Sequence, residues 1–320
     1  MKRILIAVAA IASLALVSLL IGAGDVSLAA LFSPQDGARA TQILLISRIP
    51  RTLALILAGM AMAVAGTIMQ MLTQNRFVEP STAGTVESAS LGLLTTTLLA
   101  PDLSLIGKML AAAAFALAGT ALFLRLLRLV PLRSTLTVPL VGIMLGGVIS
   151  AITAFFAYRF DLLQSLNAWT TGDFSSILRG RYELLWVAFA LTILAYAAAD
   201  RLTLAGMGRD FTTNLGLRYR TVVSFGLVIV SMVTATIVVT VGMLPFLGLI
   251  VPNVVSMMIG DNMRRSLPWV AMLGAGLVLA CDIIGRVVYY PYEVPIGTIM
   301  GIVGSALFVV LLLKGRERLA

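Results

Sequence analysis

The sequence predicts an all-α integral membrane protein of about ten transmembrane helices, and three observations carry that prediction. Of 320 residues, 60% are hydrophobic and only 12% are charged, whereas a soluble domain carries about 25% charged residues. Uncharged stretches recur at lengths near the roughly 20 residues that cross a hydrocarbon core. These stretches are continuously apolar rather than alternating, which is the pattern of helices and not of barrel strands. Lipid offers the backbone no hydrogen-bond partner, so a crossing must satisfy its own peptide groups, as a helix does.

Charge and rare residues narrow the function classes. The net charge is +9, but the basic residues sit between apolar runs. A nucleic-acid partner needs a clustered basic stripe, so these charges read as topology signals. The chain has no histidine and one cysteine, Cys281, inside an apolar run. An intrachain disulfide is therefore impossible. Histidine acid–base chemistry and a Cys/His metal site are excluded as well, and no metal ligands are expected.

Met1-Lys2-Arg3 precedes an apolar run from Ile4 to Ile21. With Ala23-Gly24 after it, the run has some features of a signal peptide, but its core of 18 residues exceeds the usual 7–15 and is read as a retained first span. Nine further spans are expected over Thr52–Leu72, Ala83–Leu99, Leu105–Leu124, Pro139–Tyr158, Leu184–Ala199, Val222–Val241, Gly248–Ile259, Trp269–Val288 and Ile296–Leu313. The eighth, about twelve residues, is too short to cross at about 1.5 Å per residue. It is expected to be tilted, or broken around Pro245 and Pro252.

With the N-terminus inside, 15 of the 23 basic residues fall on the inner side, from Lys2 and Arg3 through Arg76, Arg125, Arg128, Arg133 and the Arg201–Arg220 loop to Arg264, Arg265 and the C-terminal Lys314, Arg316 and Arg318. The other eight are Arg39, Arg48, Arg51, Lys108, Arg159, Arg179, Arg181 and Arg286. The bias places both termini in the cytoplasm. Arg48, Arg51 and Arg286 sit at span mouths on the outer side and oppose the rule, so they need another reason to be there.

Small residues recur at helical spacing in three spans: Gly59, Ala63 and Gly66; Gly142 and Gly146; Gly297, Gly301 and Gly304. They predict close helix packing. Met60, Met62, Met69 and Met71 on the second span read as packing. Pro50, between Arg48 and Arg51, suits a helix's first turn, and the two arginines are either interfacial snorkels or a docking point for an acidic partner. The inner loop Arg201–Arg220, punctuated by Gly206, Gly208 and Gly216 with a short helix expected over Asp210–Asn214, is either a polar connector or a knob for a soluble motor. Asp282 and Arg286 stand one turn apart and are expected to pair. Glu87, a turn inside the third span, needs a partner or water. No G-x-x-x-x-G-K-[ST] stretch is present, so any nucleotide that drives this chain binds another polypeptide.

Six segments together carry a resemblance. Arg48-Ile-Pro-Arg51, Gly66-Thr-Ile-Met-Gln70, Asn75-Arg-Phe-Val-Glu-Pro80 with Ala83-Gly84, Gly242 through Asn253, Asp282-Ile-Ile-Gly-Arg286 and Glu293-Val-Pro-Ile-Gly297 occur in one order over nearly the whole chain. The chain thereby resembles the FecCD-type permease family that imports iron–siderophores, haem and vitamin B12. The resemblance implies a type II ABC importer permease over residues 1–320, a single transmembrane domain of ten helices. Two such bundles would flank a central pathway in the bacterial inner membrane, with two ATPase subunits beneath and an extracytoplasmic siderophore-binding protein outside. The chain itself would bind no cofactor, ATP and Mg belonging to the ATPase.

The same resemblance implies residue roles. Arg48, Arg51 and Arg286 match the arginines that receive glutamates of the binding protein. Gly206, Gly208, Arg209, Asp210, Asn214, Leu215 and Gly216 fall in the coupling loop, within about 201–220, although Gly208-Arg209-Asp210 departs from the family's usual acidic wording. Ser134 and Thr135 fall near the cytoplasmic gate. The stretch from Asn75 to Ala89 looks like the catecholate-siderophore branch, which implies a paralogous second permease, with a homodimer left open; the vitamin B12 branch usually has Asn-Pro-Leu-Ala where this chain has Asn75-Arg-Phe-Val78. Transport by alternating access is expected, with no bond in the cargo broken. Two rivals from other classes are a proton-driven secondary transporter using Glu87 and Asp282 and an intramembrane enzyme. The first lacks a visible inverted repeat. The second lacks histidine and a paired aspartate cluster.

Overall fold

The computed structural model describes residues 2–21, 37–130 and 136–316. They form helices α1 (Lys2–Leu20), α2 (Ala38–Thr73), α3 (Thr85–Leu99), α4 (Leu105–Leu129), α5 (Thr137–Arg159), α6 (Leu163–Thr170), α7 (Leu185–Ala197), α8 (Ala199–Gly206), α9 (Arg209–Asn214), α10 (Tyr219–Val241), α11 (Leu247–Ile259), α12 (Met263–Val287) and α13 (Ile296–Arg316). Among the described residues the single β contact is an isolated parallel bridge between Thr171 and Met243. The chain is a helical membrane bundle. Each of the ten expected spans corresponds to a helix. Five of them, α2, α4, α5, α10 and α12, are long and apolar enough to cross alone, and the bent pair α7–α8 makes a sixth.

Helix α2 is the central post. Its most apolar stretch is 83% buried, against 22% for that of α5, which lies at the periphery. The post packs on α12, α11, α10 and α7, and its glycines set how closely. A Cβ on Gly59 would stand 2.6 Å from the Gly274 carbonyl oxygen, and one on Gly66 would stand 2.1 Å from that of Gly248. Backbone therefore meets backbone at both crossings, which lipid-embedded helices favour because packing drives their association. Of the third small-residue series, Gly297 and Gly304 meet neighbours closely, but Gly301 faces open space.

Two prolines explain where the elements differ from expectation. The second span was expected from Thr52, with Pro50 opening it; the helix instead begins fourteen residues earlier and runs through Pro50 by way of a π-helical turn at Leu44–Arg48. Pro50 has no N–H for the carbonyl four residues back, and that carbonyl, of Ile46, accepts from the Arg179 N–H at 2.9 Å. Pro252 likewise sits inside α11 without breaking it. The carbonyl it leaves free, of Gly248, accepts from Gln70 Nε2 at 3.3 Å. Freed carbonyls are tolerated in a membrane where protein satisfies them.

Helix α11, the expected short eighth span, has 13 residues, which reach about 20 Å. It does not cross alone. Its N-terminus starts inside the protein beside Gly66 and its other end lies near Arg76. The sixth span, expected over Leu184–Ala199, stops at Ala197, and the chain turns by 68° into α8. That helix and α6 occupy stretches read from sequence as loops.

Candidate functional site

Two functional ends emerge, called outer and inner after the charge count. At the outer end, two of the three arginines that oppose the positive-inside rule, Arg48 and Arg286, reach the C-terminus of α1, and Arg51 joins them through Asp282. Arg48 is 6% exposed and Arg286 4%. Arg48 Nη1 donates to the carbonyls of Leu19 at 2.7 Å and Leu20 at 3.0 Å. Arg286 Nη1 donates to the carbonyls of Ser18 at 2.9 Å and Ile21 at 2.7 Å, and its Nη2 donates to the Ser18 hydroxyl at 2.6 Å. The last four carbonyls of a helix have no partner within it, and the helix dipole places partial negative charge there. Arginines from α2 and α12 thus cap α1 from outside.

Acids complete the cluster. Asp282 is 1% exposed and pairs with Arg286, as the one-turn spacing predicts, and also with Arg51 Nη2 at 2.7 Å. Arg51 Nη1 reaches Glu293 at 2.7 Å. The α1 carbonyls add neutral acceptors for Arg48 and Arg286 to this charge network. The site residues Arg48, Arg51 and Arg286 are therefore brought together, but turned inward rather than snorkelling to the surface; the Arg51 side chain retains 12% exposure.

At the inner end, α8 and α9 form the loop 201–220. Thr212, fully buried, donates to the carbonyls of Leu204 at 2.8 Å and Gly208 at 2.6 Å, which fixes α9 on α8. Gly208 and Gly216 take φ of +106° and +78°, a region open to glycine at no steric cost. The short helix expected over Asp210–Asn214 is present as Arg209–Asn214. Met207, Phe211 and Leu215 follow one another at four-residue intervals and are 58%, 48% and 54% exposed. They are exposed apolar side chains of the knob, interspersed with exposed Arg209, Asp210 and Asn214.

This knob is tied to the bundle. Gly206 packs on Met71, and its carbonyl accepts from Gln74 Nε2 at 3.3 Å. Asp200 pairs with Arg264 at 2.6 Å, and Thr203 accepts from the Met263 N–H at 3.2 Å. A cleft of about 430 Å³ opens beside it, lined by Gln70, Gln74, Asn253 and the Arg76–Asp261 ion pair. Ser134 and Thr135, expected near a cytoplasmic gate, lie outside the described residues.

Glu79 lies within the Asn75–Pro80 segment, between α2 and α3. It is 1% exposed, and its Oε1 accepts from the Phe246 N–H at 3.0 Å, which caps the start of α11 from the connector between α2 and α3. Burial pushes its carboxyl up to about 7. Proline after an acid in a polar connector is too common to mark it. Of the two relay candidates, Asp282 has both oxygens engaged by arginines, and Glu87 faces Gly146 of α5.

A model of the FecCD transport family matches residues 6–314. The petrobactin import system permease protein YclN of Bacillus subtilis (strain 168) is 48% identical over 301 residues, which cover 94% of this chain and 95% of that protein. The petrobactin import system permease protein FatD of Bacillus anthracis is 45% identical, over 99% of this chain and 92% of its own. Among solved structures, an inward-facing conformation of a metal-chelate type ABC transporter superposes with a TM-score of 0.82 at 24% identity, covering 98% of this chain and 99% of that one. That likeness speaks for the fold.

Proposed function

The chain belongs to the FecCD transport family, and on that footing we propose that it is the transmembrane permease subunit of an ATP-driven importer for ferric siderophores. Its relatives named for petrobactin import, at 48% and 45% identity, carry the cargo class. A vitamin B12 or haem cargo is the weaker reading. The chain is a multi-pass protein of the bacterial inner membrane, and its family leaves ATP hydrolysis to separate subunits.

The finer assignments rest on geometry and charge. Both termini face the cytoplasm, as the excess of inner basic residues supports. A paralogous second permease completes the pathway, two ATPase subunits hold the nucleotide and its Mg, and this chain binds no cofactor. The α8–α9 knob seats on an ATPase, because its exposed apolar side chains Met207, Phe211 and Leu215 have the composition of an interface anchor. A binding protein docks at the outer end, where the Arg51 side chain keeps 12% exposure at the rim of the arginine–carboxylate cluster and can be shared with an incoming acidic side chain.

In the mechanism that follows, ATP binding at the motor moves the knob. The Thr212, Asp200–Arg264 and Gln74 links pass that movement to α12 and α2, and the pathway opens alternately outward and inward. The nucleotide shifts this equilibrium only by its differential affinity for the two states. The cargo assignment is tested with the assembled transporter in vesicles, offering a labelled ferric catecholate siderophore and labelled cobalamin in parallel. ATP-dependent accumulation of iron over cobalamin is expected. Accumulation of cobalamin alone would overturn it.

A further inference from the structure

A second cavity, of about 610 Å³, opens at the outer end between α6, the segment after it, the start of α4 and the end of α10. Its volume falls in the range of small-ligand sites. Asn167, Trp169, Ser176 and Arg181 line it, and none of these side chains bonds to another described residue. All four supply N–H or O–H donors. The acid in the wall, Asp173, is turned onto Ser175: Oδ1 accepts from the Ser175 N–H at 2.8 Å and Oδ2 from its hydroxyl at 2.7 Å. The Thr240 hydroxyl is committed to the Thr236 carbonyl at 2.6 Å. The cavity therefore offers free donors from all four side chains, with acceptors only on Asn167 and Ser176, and a guanidinium with no ion pair among the described residues.

The wall is also rigid. Asp173 N–H donates to the Val241 carbonyl at 2.9 Å, Thr171 bridges Met243, and Gly297 N–H donates to the Gly172 carbonyl at 2.8 Å. A fixed, donor-rich concavity loses little freedom when a ligand enters. Asn167, Ser176 and Arg181 are exposed at its rim and Trp169 is half-buried in its wall, so a polar ligand can reach all four from the outer side.

We propose that this cavity is an outer subsite for an anionic, oxygen-rich ligand, namely one arm of the iron chelate on its way in. Arg181 balances its charge, Asn167 and Ser176 donate to its oxygens, and Trp169 offers a face to an aromatic ring. The inference rests on the ferric-siderophore reading above. A lipid phosphate shares the chemistry, so the experiment separates the two sources.

The chain has three tryptophans, and Trp186→Phe with Trp269→Phe leaves Trp169 as its sole indole. The full transporter, its other subunits cleared of tryptophan, is placed in nanodiscs and titrated with ferric 2,3-dihydroxybenzoate, whose colour quenches a nearby indole. Saturable quenching is expected. Arg181→Gln, an exposed position, should move its midpoint roughly tenfold, with smaller shifts for Asn167→Ala and Ser176→Ala. Unsaturable quenching, or one midpoint for all variants, overturns the subsite. So does quenching that appears only in discs free of phosphatidylglycerol and disappears when it is added, since lipid phosphate then holds the cavity. Absence of ferric-chelate uptake by the unsubstituted transporter would instead defeat the cargo reading itself.

Discussion

Asp282 holds two guanidiniums at once, from helices 231 and 4 residues away in sequence, and this is the junction on which the outer end depends. Removing one partner of a buried charge pair typically costs about 3–5 kcal/mol, because the survivor stays buried. Arg286→Ala also uncaps the α1 carbonyls of Ser18 and Ile21. We expect this substitution to lower the thermal midpoint of the purified transporter markedly, where Arg181→Ala at an exposed site leaves it unchanged; equal midpoints would mean the cluster carries no structural load. The same geometry sharpens the docking proposal. Charge reversal at Arg48 and Arg51 together is expected to weaken binding-protein capture and uptake. Since both also serve inside the bundle, the readable substitution is Arg51→Lys, which keeps a cation against Asp282 and Glu293 and removes the guanidinium fork, scored as binding-protein affinity against unfolding temperature. A lower affinity at an unchanged midpoint supports docking, and an unchanged affinity retires it. The sequence exposed the i, i+4 pairing of Asp282 and Arg286 and the oddity of outer arginines. It did not reveal that Arg48 and Arg286 cap α1, because the partner carbonyls belong to backbone, which has no sequence signature.

At the scale of elements, the glycine spacing was informative where two backbones meet and silent about which glycines do so. Gly66 and Gly301 are indistinguishable in pattern, yet one abuts Gly248 and the other faces open space. Gly66→Ala is expected to destabilise the α2–α11 crossing by about 1–3 kcal/mol or more, and Gly301→Ala to stay within about 0.5 kcal/mol, both read from thermal unfolding. Similar effects at the two positions would contradict the packing. The start of α2 differs from expectation because Pro50 does not open the helix, and of the two alternatives for α11, tilted or broken, the break at Pro252 does not occur. Arg179 and Gln70 satisfy the carbonyls that Pro50 and Pro252 release, and such long-range donors are invisible to local pattern. The short helices α6 and α8 lay in stretches too polar for a span. The α9 knob was legible from its glycines, and its exposed apolar side chains give a prediction. Phe211→Asp is expected to weaken ATPase attachment by about 2 kcal/mol, so that ATP hydrolysis no longer responds to cargo; cargo-stimulated hydrolysis at the unsubstituted level would contradict the knob's role.

Across the whole molecule, composition alone settled the solvent, since a chain 12% charged leaves most of its helices nothing but lipid and one another to face. The ends divide the labour. Outside, buried arginines brace three helices and a donor-lined cavity opens beside them; inside, an apolar knob projects from a mesh of ion pairs and amides. Partners were legible only as absences, of a nucleotide-binding stretch and of charge on the bundle flanks, together with the resemblance. One measurement tests the account most directly: iron accumulation in sealed vesicles carrying the permease pair, with and without the ATPase subunits, ATP on the cytoplasmic face and a proton gradient imposed or collapsed. Accumulation that requires the ATPase and its ATP and ignores the gradient is predicted. Accumulation without the ATPase, following the gradient, would contradict it.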